Sequence, residues 1–268
     1  MKRAFQFVVF IILFKGCGVI SFAWATEAEH ISLPLDGGCI LRLGWGDWPP
    51  YQTLIDDEPK GIQIDLIKQI AHEADCKLTF KLQSFTQNQE GIKNGTIDIT
   101  LDTTVTPERS QYGYFSEPYR NEVLALYVRP EFIEACQTDS IRSLVKNGLR
   151  LGVTRDNIYG ETLALVQADP ELNQKLVYRD LNTHHFTLLK QNKIDGLVED
   201  PMVMAYSLRH DSAIGQLEVC RVTVSSSSVS LMFSKKTISQ ELVARFNKAL
   251  KKIKSQKDYK KNWSWSID

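Results

Sequence analysis

Hydrophobic and polar residues follow two alternating periods along most of this 268-residue chain. The run ILRLG (40–44) and the alternating KLTFKL (77–82) predict strands, because every second residue of a strand faces the same side. Between them, IQIDLIKQIAHEA has apolar residues at every fourth position from Ile62, which predicts a helix. A second helix ending near Gly95 precedes a third predicted strand, TIDITL (96–101). Strands that alternate with helices indicate a parallel sheet covered by helices.

A second series of the same kind follows Pro130. It comprises predicted strands at LRLGVT (149–154), KLVYR (175–179) and KIDGLVE (193–199), with predicted helices from Ser140, through Leu163 and over 186–191. Two successive α/β units are expected from this order. The fold class predicted from the pattern is therefore α/β, with two lobes that each contain a mainly parallel sheet and flanking helices.

Two long extended stretches flank the second unit, namely NEVLALYV (121–128) and VTVSSSSVSLMF (222–233). They predict that the chain crosses twice between lobes and that the C-terminal helix returns to the first one. That helix is predicted from its apolar stripe of Leu242, Phe246, Leu250 and Ile253. We therefore expect lobe one to contain 38–126 and 226–268, and lobe two to contain 127–225, with the two crossings acting as a hinge.

The first 25 residues have the pattern of a signal peptide. A basic start and an apolar run precede Ala23-Trp24-Ala25, which has small residues at the positions that signal peptidase reads. We predict export to the periplasm and cleavage after Ala25. An uncleaved anchor and a lipid attached at Cys17 are the alternatives.

Composition limits the classes of function. Removing the leader takes away Lys2, Arg3 and Lys15, which leaves 29 basic and 32 acidic residues and a formal charge of −3. A chain with this balance lacks the basic character of a nucleic-acid-binding protein. The remaining 243 residues exceed one typical domain, which agrees with two cores. We expect the mature chain to be monomeric.

Four cysteines follow the leader, Cys39, Cys76, Cys136 and Cys220. An even number in an exported chain predicts two disulfides, but four cysteines allow three pairings and the sequence does not choose among them. Zinc binding is the competing interpretation. The absence of CxxC and HxxxH spacing from the sequence argues against it, and we predict neither a metal nor a cofactor.

Three motifs resemble one family. The segments are TPERSQYGYFSEPY (106–119), KIDGLVED (193–200) and GWGDWPPY (44–51). With the order of elements over 38–262, they are similar to the periplasmic solute-binding proteins of family 3, which include amino-acid receptors of ABC importers. The resemblance implies the two-lobed periplasmic-binding-protein fold of type II and closure of the lobes on a small ligand.

The resemblance identifies Arg109 as the residue that grips a ligand carboxylate. A guanidinium suits that role because its rigid fork forms two parallel charge-assisted hydrogen bonds. At Thr104, the family directs a backbone N–H to the same carboxylate. At Asp102 most relatives have Gly or Ser, so this residue either adds a counter-charge for a cationic ligand or makes the site unlike an ordinary amino-acid receptor.

Asp200 stands where relatives hold the aspartate that pairs with an α-ammonium group. Because it precedes Pro201, it is equally suited to cap a helix, and one residue can do both. If Arg109 and Asp200 face each other across the cleft, a zwitterionic ligand bridges the two lobes.

The resemblance also places Trp48 and Tyr51 beside the ligand side chain, where aromatic rings offer stacking and cation–π contacts. The alternative is that they pack the loop. Ile62 replaces the aromatic residue that many relatives have on the opposite wall. In LGVTRDNIYG (151–160), the backbone N–H of Ile158 is a candidate donor to the anion, although Asp156 brings negative charge close to it.

No nucleophile, metalloprotease or P-loop motif occurs in the sequence, and no partner has motif spacing to His184 and His185. We therefore predict a binding protein that delivers a small carboxylate, expected to be an amino acid, to an ABC permease or a membrane sensor. The alternatives are a cyclohexadienyl-dehydratase-like enzyme, with Asp102, Glu199 or Asp156 as its acid, and an orphan sensor domain.

Overall fold

The computed structural model describes residues 38–138, 140–181 and 183–263. The predicted signal peptide (1–25) and Cys17 lie outside this part of the chain, so cleavage after Ala25 stays a prediction. Within the described ranges, we find no helix that combines the length and the hydropathy required to cross a bilayer.

The strands in the described part of the chain are short except for two in the middle of the sheet. They are β1 (Cys39–Trp45), β2 (Thr53–Ile55), β3 (Glu58–Lys60), β4 (Cys76–Leu82), β5 (Ile99–Thr104), β6 (Gly113–Phe115), β7 (Arg120–Val128), β8 (Leu151–Thr154), β9 (Leu176–Arg179), β10 (Gly196–Glu199) and β11 (Glu218–Ser234).

The α-helices lie mostly between these strands. They are α1 (Ile62–Glu73), α2 (Phe85–Asn94), α3 (Arg109–Tyr112), α4 (Ile133–Thr138), α5 (Ile141–Lys146), α6 (Gly160–Ala168), α7 (Pro170–Asn173), α8 (Thr183–Lys190), α9 (Pro201–His210), α10 (Gln240–Lys254) and α11 (Lys257–Trp263). Short 3₁₀ turns occur at Pro130–Phe132 and Ser212–Ile214.

Sequence signals at the ends explain several of these helices. Ser84 and Gln87 form a capping box at the start of α2, and Gly95 ends that helix in the left-handed conformation at φ 84°. Ser140 and Ser239 accept hydrogen bonds from backbone N–H groups in the first turns of α5 and α10.

One mixed sheet contains all strands except β2 and β3, which form a hairpin. Its order is β4-β1-β5-β11-β7-β10-β8-β9, with β6 paired to β11. Strands β4, β1 and β5 are mutually parallel, and we call them the first strand group. Strands β10, β8 and β9 are also mutually parallel and form the second strand group. The antiparallel pair of β7 and β11 joins the two groups.

Apolar packing involves both strand groups. One buried cluster includes Leu43 of β1, Phe246 of α10 and also Leu197 of β10. A second cluster includes Leu126 of β7 and Val153 of β8 and contains no residue of the first strand group. The predicted lobe boundaries at 126/127 and 225/226 fall within β7 and β11, where the two strands pair with each other. The division into two lobes at these points stays a prediction.

The two predicted disulfides are confirmed, and the structure decides their pairing. Cys39 bonds to Cys76, which is its register partner in the adjacent parallel strand. Cys136 bonds to Cys220, so α4 is tied to β11.

Most predicted elements occur, with shifted ends. The strand predicted at 96–101 is observed as β5 at Ile99–Thr104, because Gly95 ends α2 and the next three residues turn into the sheet. The sequence analysis did not predict the β2–β3 hairpin, α7 or α11. Each is short, and periodicity over so few residues carries little information.

Candidate functional site

A cavity lies where strands from both groups end. Its lining includes residues that follow β1 or end β5 in the first group, and residues at or beyond the ends of β8, β9 and β10 in the second. Ligands of open α/β sheets characteristically bind outside the carboxyl ends of parallel strands. The cavity volume is about 90 Å³. One water requires only ~10–15 Å³, so the cavity has room for a small solute.

Arg109 lines this cavity and is only 6% exposed. The Thr106 hydroxyl accepts a hydrogen bond from the Arg109 backbone N–H at 3.1 Å, which tightens the turn that leads into α3. The guanidinium donates to the carbonyl oxygens of Thr104 (3.0 Å) and Asp156 (2.8 Å), and it lies over the ring of Phe85. Burial lowers the pKa of this guanidinium. The geometry thus gives a desolvated cation at the cavity wall.

Asp102 also lines the cavity, in a backbone conformation that is uncommon outside glycine. Its φ is +49°, in the left-handed region that aspartate tolerates better than most residues. Its carboxylate accepts hydrogen bonds from the side chains of Gln63 (2.5 Å), Tyr119 (2.8 Å) and Arg120 (3.0 Å). The Asp102 side chain is therefore occupied within the protein, while Thr104, two residues later, contributes its carbonyl to Arg109.

Arg120 is a buried cation close to the cavity lining that the sequence analysis did not single out. Its side chain is 0% exposed and lies among three carboxylates, with contacts to Asp102 at 2.8 Å, Glu122 at 3.3 Å and Asp200 at 3.8 Å. Burial alone lowers the pKa of the Arg120 guanidinium, but the charges of Asp102 and Glu122 raise it well above its usual value. We call these four residues the Arg120 cluster.

Glu122 is the member of the Arg120 cluster with the most unusual ionisation. Burial raises the pKa of its carboxyl to about 7, and Arg120 opposes this rise only in part. The negative charges of Asp102 and Asp200 act in the same direction as burial. Glu122 also lines the cavity, so its charge state affects the field that a ligand meets there.

Trp48 and Tyr51 differ in their relation to the cavity. Trp48 lines it, and its Nε1 donates to Oε1 of Glu199 at 3.1 Å. Tyr51 is 0% exposed and packs beside Trp48, with 4.7 Å between ring centroids. The Tyr51 hydroxyl contacts both carboxylate oxygens of Asp200, at 3.0 and 3.1 Å, and Tyr51 is not among the residues that line the cavity.

Asp200 is fully buried, and it is likewise not among the lining residues. Its Oδ1 accepts from the backbone N–H groups of Met202 (2.8 Å) and Val203 (3.4 Å), so it caps α9. Burial raises the pKa of the Asp200 carboxyl, although Arg120 and the hydrogen bonds oppose this. The neighbouring Glu199, which the sequence analysis named only as a candidate enzymatic acid, does line the cavity.

The loop after β8 brings Ile158 to the cavity wall, where its side chain is 41% exposed. Helix α6 begins two residues later, at Gly160. The carboxylate of Asp156 accepts a hydrogen bond from the Thr86 hydroxyl at 2.5 Å. The Asp156 carboxylate is therefore engaged by α2.

Five of the seven predicted site residues thus line one cavity: Trp48, Asp102, Thr104, Arg109 and Ile158. Tyr51 and Asp200 contact each other behind its wall. Arg120 and Glu122 had no local signal, because the partners that define them come from distant parts of the chain. For Glu199 the available signal was its position as the last residue of a buried strand.

The chain is similar to known binding proteins. The profile of the bacterial extracellular solute-binding proteins, family 3, matches residues 41–264. A probable histidine-binding protein of Neisseria gonorrhoeae is 23% identical over 221 residues, which cover 80% of this chain and 78% of the relative. The arginine-binding extracellular protein ArtP of Bacillus subtilis is 24% identical over 260 residues, which cover 94% of this chain and 96% of the relative.

Solved structures show the same fold. An ancestral arginine-binding protein bound to arginine superimposes with a TM-score of 0.69 at 26% identity, covering 85% of this chain and 98% of that one. An arginine-specific periplasmic binding protein of Salmonella typhimurium also gives 0.69, at 19% identity, covering 86% of this chain and 100% of that one. The predicted periplasmic-binding-protein fold is thereby confirmed.

Proposed function

Because this chain belongs to the bacterial extracellular solute-binding proteins of family 3, we propose that it captures an amino acid with a positively charged side chain. The observation that carries this proposal is the position of Arg109. Its guanidinium is buried at a cavity whose other charged lining residues are all carboxylates. A ligand with one carboxylate and two cationic groups matches this distribution of charge.

The two ends of the cavity suit the two ends of such a ligand. Arg109 offers a fork of donors to the α-carboxylate. Asp47 lines the cavity and also borders a neighbouring one that Arg109 does not line. Burial raises the pKa of the Asp47 carboxyl, and a ligand cation would lower the cost of its ionised form. We therefore assign the cationic side chain to that end.

The names of the relatives agree with this charge pattern. Two relatives that align over most of their length are described as histidine- and arginine-binding, and the ancestral structure holds arginine. Those descriptions apply to those proteins. They support the proposal here because this cavity independently carries an excess of carboxylates.

Calorimetric titration of the ligand-free protein with individual amino acids tests the proposal. We expect L-arginine or L-histidine to bind and acidic amino acids to bind far more weakly. Arg109→Ala should weaken the best ligand by about 30-fold to several thousand-fold, since removing one partner of a desolvated charge pair costs about 2–5 kcal/mol.

Arg142→Ala is the matched control, because Arg142 is half-exposed and forms a surface pair with Asp169. It should leave affinity unchanged. Arg109→Lys keeps the charge but loses the planar fork, so an intermediate affinity is expected. Full affinity in Arg109→Ala would show that the carboxylate binds elsewhere.

We propose binding without turnover. Of the three acids considered for a dehydratase, Asp102 is ion-paired with Arg120 at 2.8 Å and Asp156 is not among the lining residues. Incubation with prephenate or arogenate should give no product. Sustained turnover that requires Glu199 would instead establish the enzyme.

We further propose that the protein acts outside the cytoplasm, as its family's description states, and passes its ligand to an ABC permease or a membrane sensor. Cleavage after Ala25 predicts an exported chain whose first residue is Thr26. Mass spectrometry of the N-terminal peptide from a periplasmic extract measures this directly.

A further inference from the structure

The three carboxylates of the Arg120 cluster share one buried cation. Arg120 contacts Asp102 at 2.8 Å, Glu122 at 3.3 Å and Asp200 at 3.8 Å. The side chains of these carboxylates are 11%, 14% and 0% exposed, respectively. If all three were ionised, three negative charges would face one positive charge away from bulk water, which is costly. A proton held on one of them relieves part of this repulsion.

The hydrogen bonds of the cluster indicate that this proton resides on Glu122. Asp200 accepts from the Tyr51 hydroxyl and from two backbone N–H groups of α9. Asp102 accepts, in addition to Arg120, from the side chains of Gln52, Gln63 and Tyr119. Donors of this kind favour the ionised form of a carboxyl group. Among the described residues, Glu122 has only Arg120 as a hydrogen-bond donor, at 3.3 Å.

Charged groups from several elements surround Glu122. Besides Arg120 on β7 itself, they are Asp102 on β5, Arg109 on α3, Glu199 at the end of β10 and Asp200 at the start of α9. The register partner of Glu122 on β11, Ser227, is uncharged. Burial, together with Asp102 and Asp200, raises the pKa of the Glu122 carboxyl to about 7 although Arg120 opposes the rise. Glu122 therefore changes its charge near neutral pH, where one added charge in the cavity decides its state.

Glu122 connects the Arg120 cluster to the ligand. Residues at alternate positions of a strand share a face, so Arg120, Glu122 and Leu124 lie on one side of β7. Of these, Glu122 and Leu124 line the cavity. A ligand with a net positive charge in this desolvated space stabilises the ionised form of Glu122. A ligand without net charge brings opposite charges that largely cancel.

We propose that Glu122 makes the cavity select for ligands with a net positive charge, because it releases its proton to solvent when such a ligand binds and then serves as the ligand's counter-ion. This role rests on the proposed function, since it requires a cationic amino acid. Protonation of Glu122 then competes with the ligand. Affinity is therefore highest above pH 7 and falls as the pH falls below 7, although the guanidinium of L-arginine keeps its charge throughout.

Calorimetric titration with L-arginine and with L-citrulline tests this role, because L-citrulline has a neutral urea group in place of the guanidinium. Each titration is performed at pH 7 in phosphate and in MOPS, two buffers that differ in their enthalpy of ionisation, so the difference in heat counts the protons released. Wild type should release about half a proton per L-arginine, since about half of the Glu122 carboxyl groups are protonated at that pH. L-Citrulline should release none.

Glu122→Gln keeps the shape of the side chain but has no proton to release. L-Arginine should bind to this variant without release of a proton at pH 7. The affinity of wild type for L-arginine, relative to that of Glu122→Gln, should rise about 10-fold from pH 6 to pH 8, because wild type alone gives up this proton. Glu134→Gln, at an exposed glutamate of α4, is the matched control and should behave as wild type does.

Binding of L-arginine to wild type without proton release would overturn this role of Glu122 and leave the proposed function standing. Equal release with L-citrulline would also overturn it, because the α-ammonium group would then cause the exchange. Undiminished release in Glu122→Gln would overturn it by assigning the proton to another group. Failure of wild type to bind any amino acid with a cationic side chain would instead remove the proposed function, and the role of Glu122 with it.

Discussion

Replacing Glu122 by glutamine should change how the stability of this protein depends on pH. The Glu122 side chain is 14% exposed, and burial raises the pKa of its carboxyl from 4.5 to about 7. The folded state therefore holds this proton more tightly than the unfolded state does. Its contribution to stability is complete below pH 4.5 and is lost as the pH rises through 7.

The magnitude follows from the shift. A rise of about 2.5 pKa units corresponds to about 3 kcal/mol at 1.36 kcal/mol per unit. Glutamine is neutral throughout, so the variant does not undergo this loss. The free energy of unfolding of Glu122→Gln minus that of wild type should therefore increase by about 3 kcal/mol between pH 4.5 and pH 8.

Urea unfolding of the ligand-free proteins at four pH values measures this difference, with the disulfides kept oxidised and tryptophan fluorescence as the signal. Other groups that titrate with pH are present in both proteins and largely cancel in the difference. Glu134→Gln, at an exposed glutamate of α4, should give a difference that does not change with pH. A flat difference for Glu122→Gln as well would refute the reasoning, because it would mean that the folded protein does not hold this proton near neutral pH.

Two further perturbations test the structure's stability. Arg120→Met removes the cation shared by the Arg120 cluster and should cost about 3–5 kcal/mol in urea unfolding at pH 8, whereas Arg142→Met at a surface pair should cost less than about 1 kcal/mol. An unchanged urea midpoint in Arg120→Met would show that the carboxylates of the cluster do not depend on this cation for their stabilisation. The double variant Cys39→Ala/Cys76→Ala opens a loop with a sequence separation of 37 and should lose about 2–5 kcal/mol under oxidising conditions. Wild-type stability in that protein would mean that the bond does not constrain the unfolded chain.

Local patterns account for much of what was predicted correctly. Apolar periodicity located α1 and α10, and the serine and glycine signals marked the ends of α2 and α5. The signature TPER directed attention to Arg109, which the structure places in the cavity wall. The even number of cysteines predicted two disulfides. Each of these inferences uses residues close together in the chain or a simple count.

The sequence by itself determined the alternation of strands and helices, the signals at the ends of α2 and α5, and the choice of Arg109 as the candidate that binds a ligand carboxylate. Only the tertiary structure decided the cysteine pairing, the formation of the Arg120 cluster and the enclosure of Asp200 by Tyr51. Tyr51 and Asp200 are 149 residues apart, so no local pattern connects them. The physical reason is that desolvation and charge neighbours set the state of a carboxylate, and both depend on which distant segments fold against it.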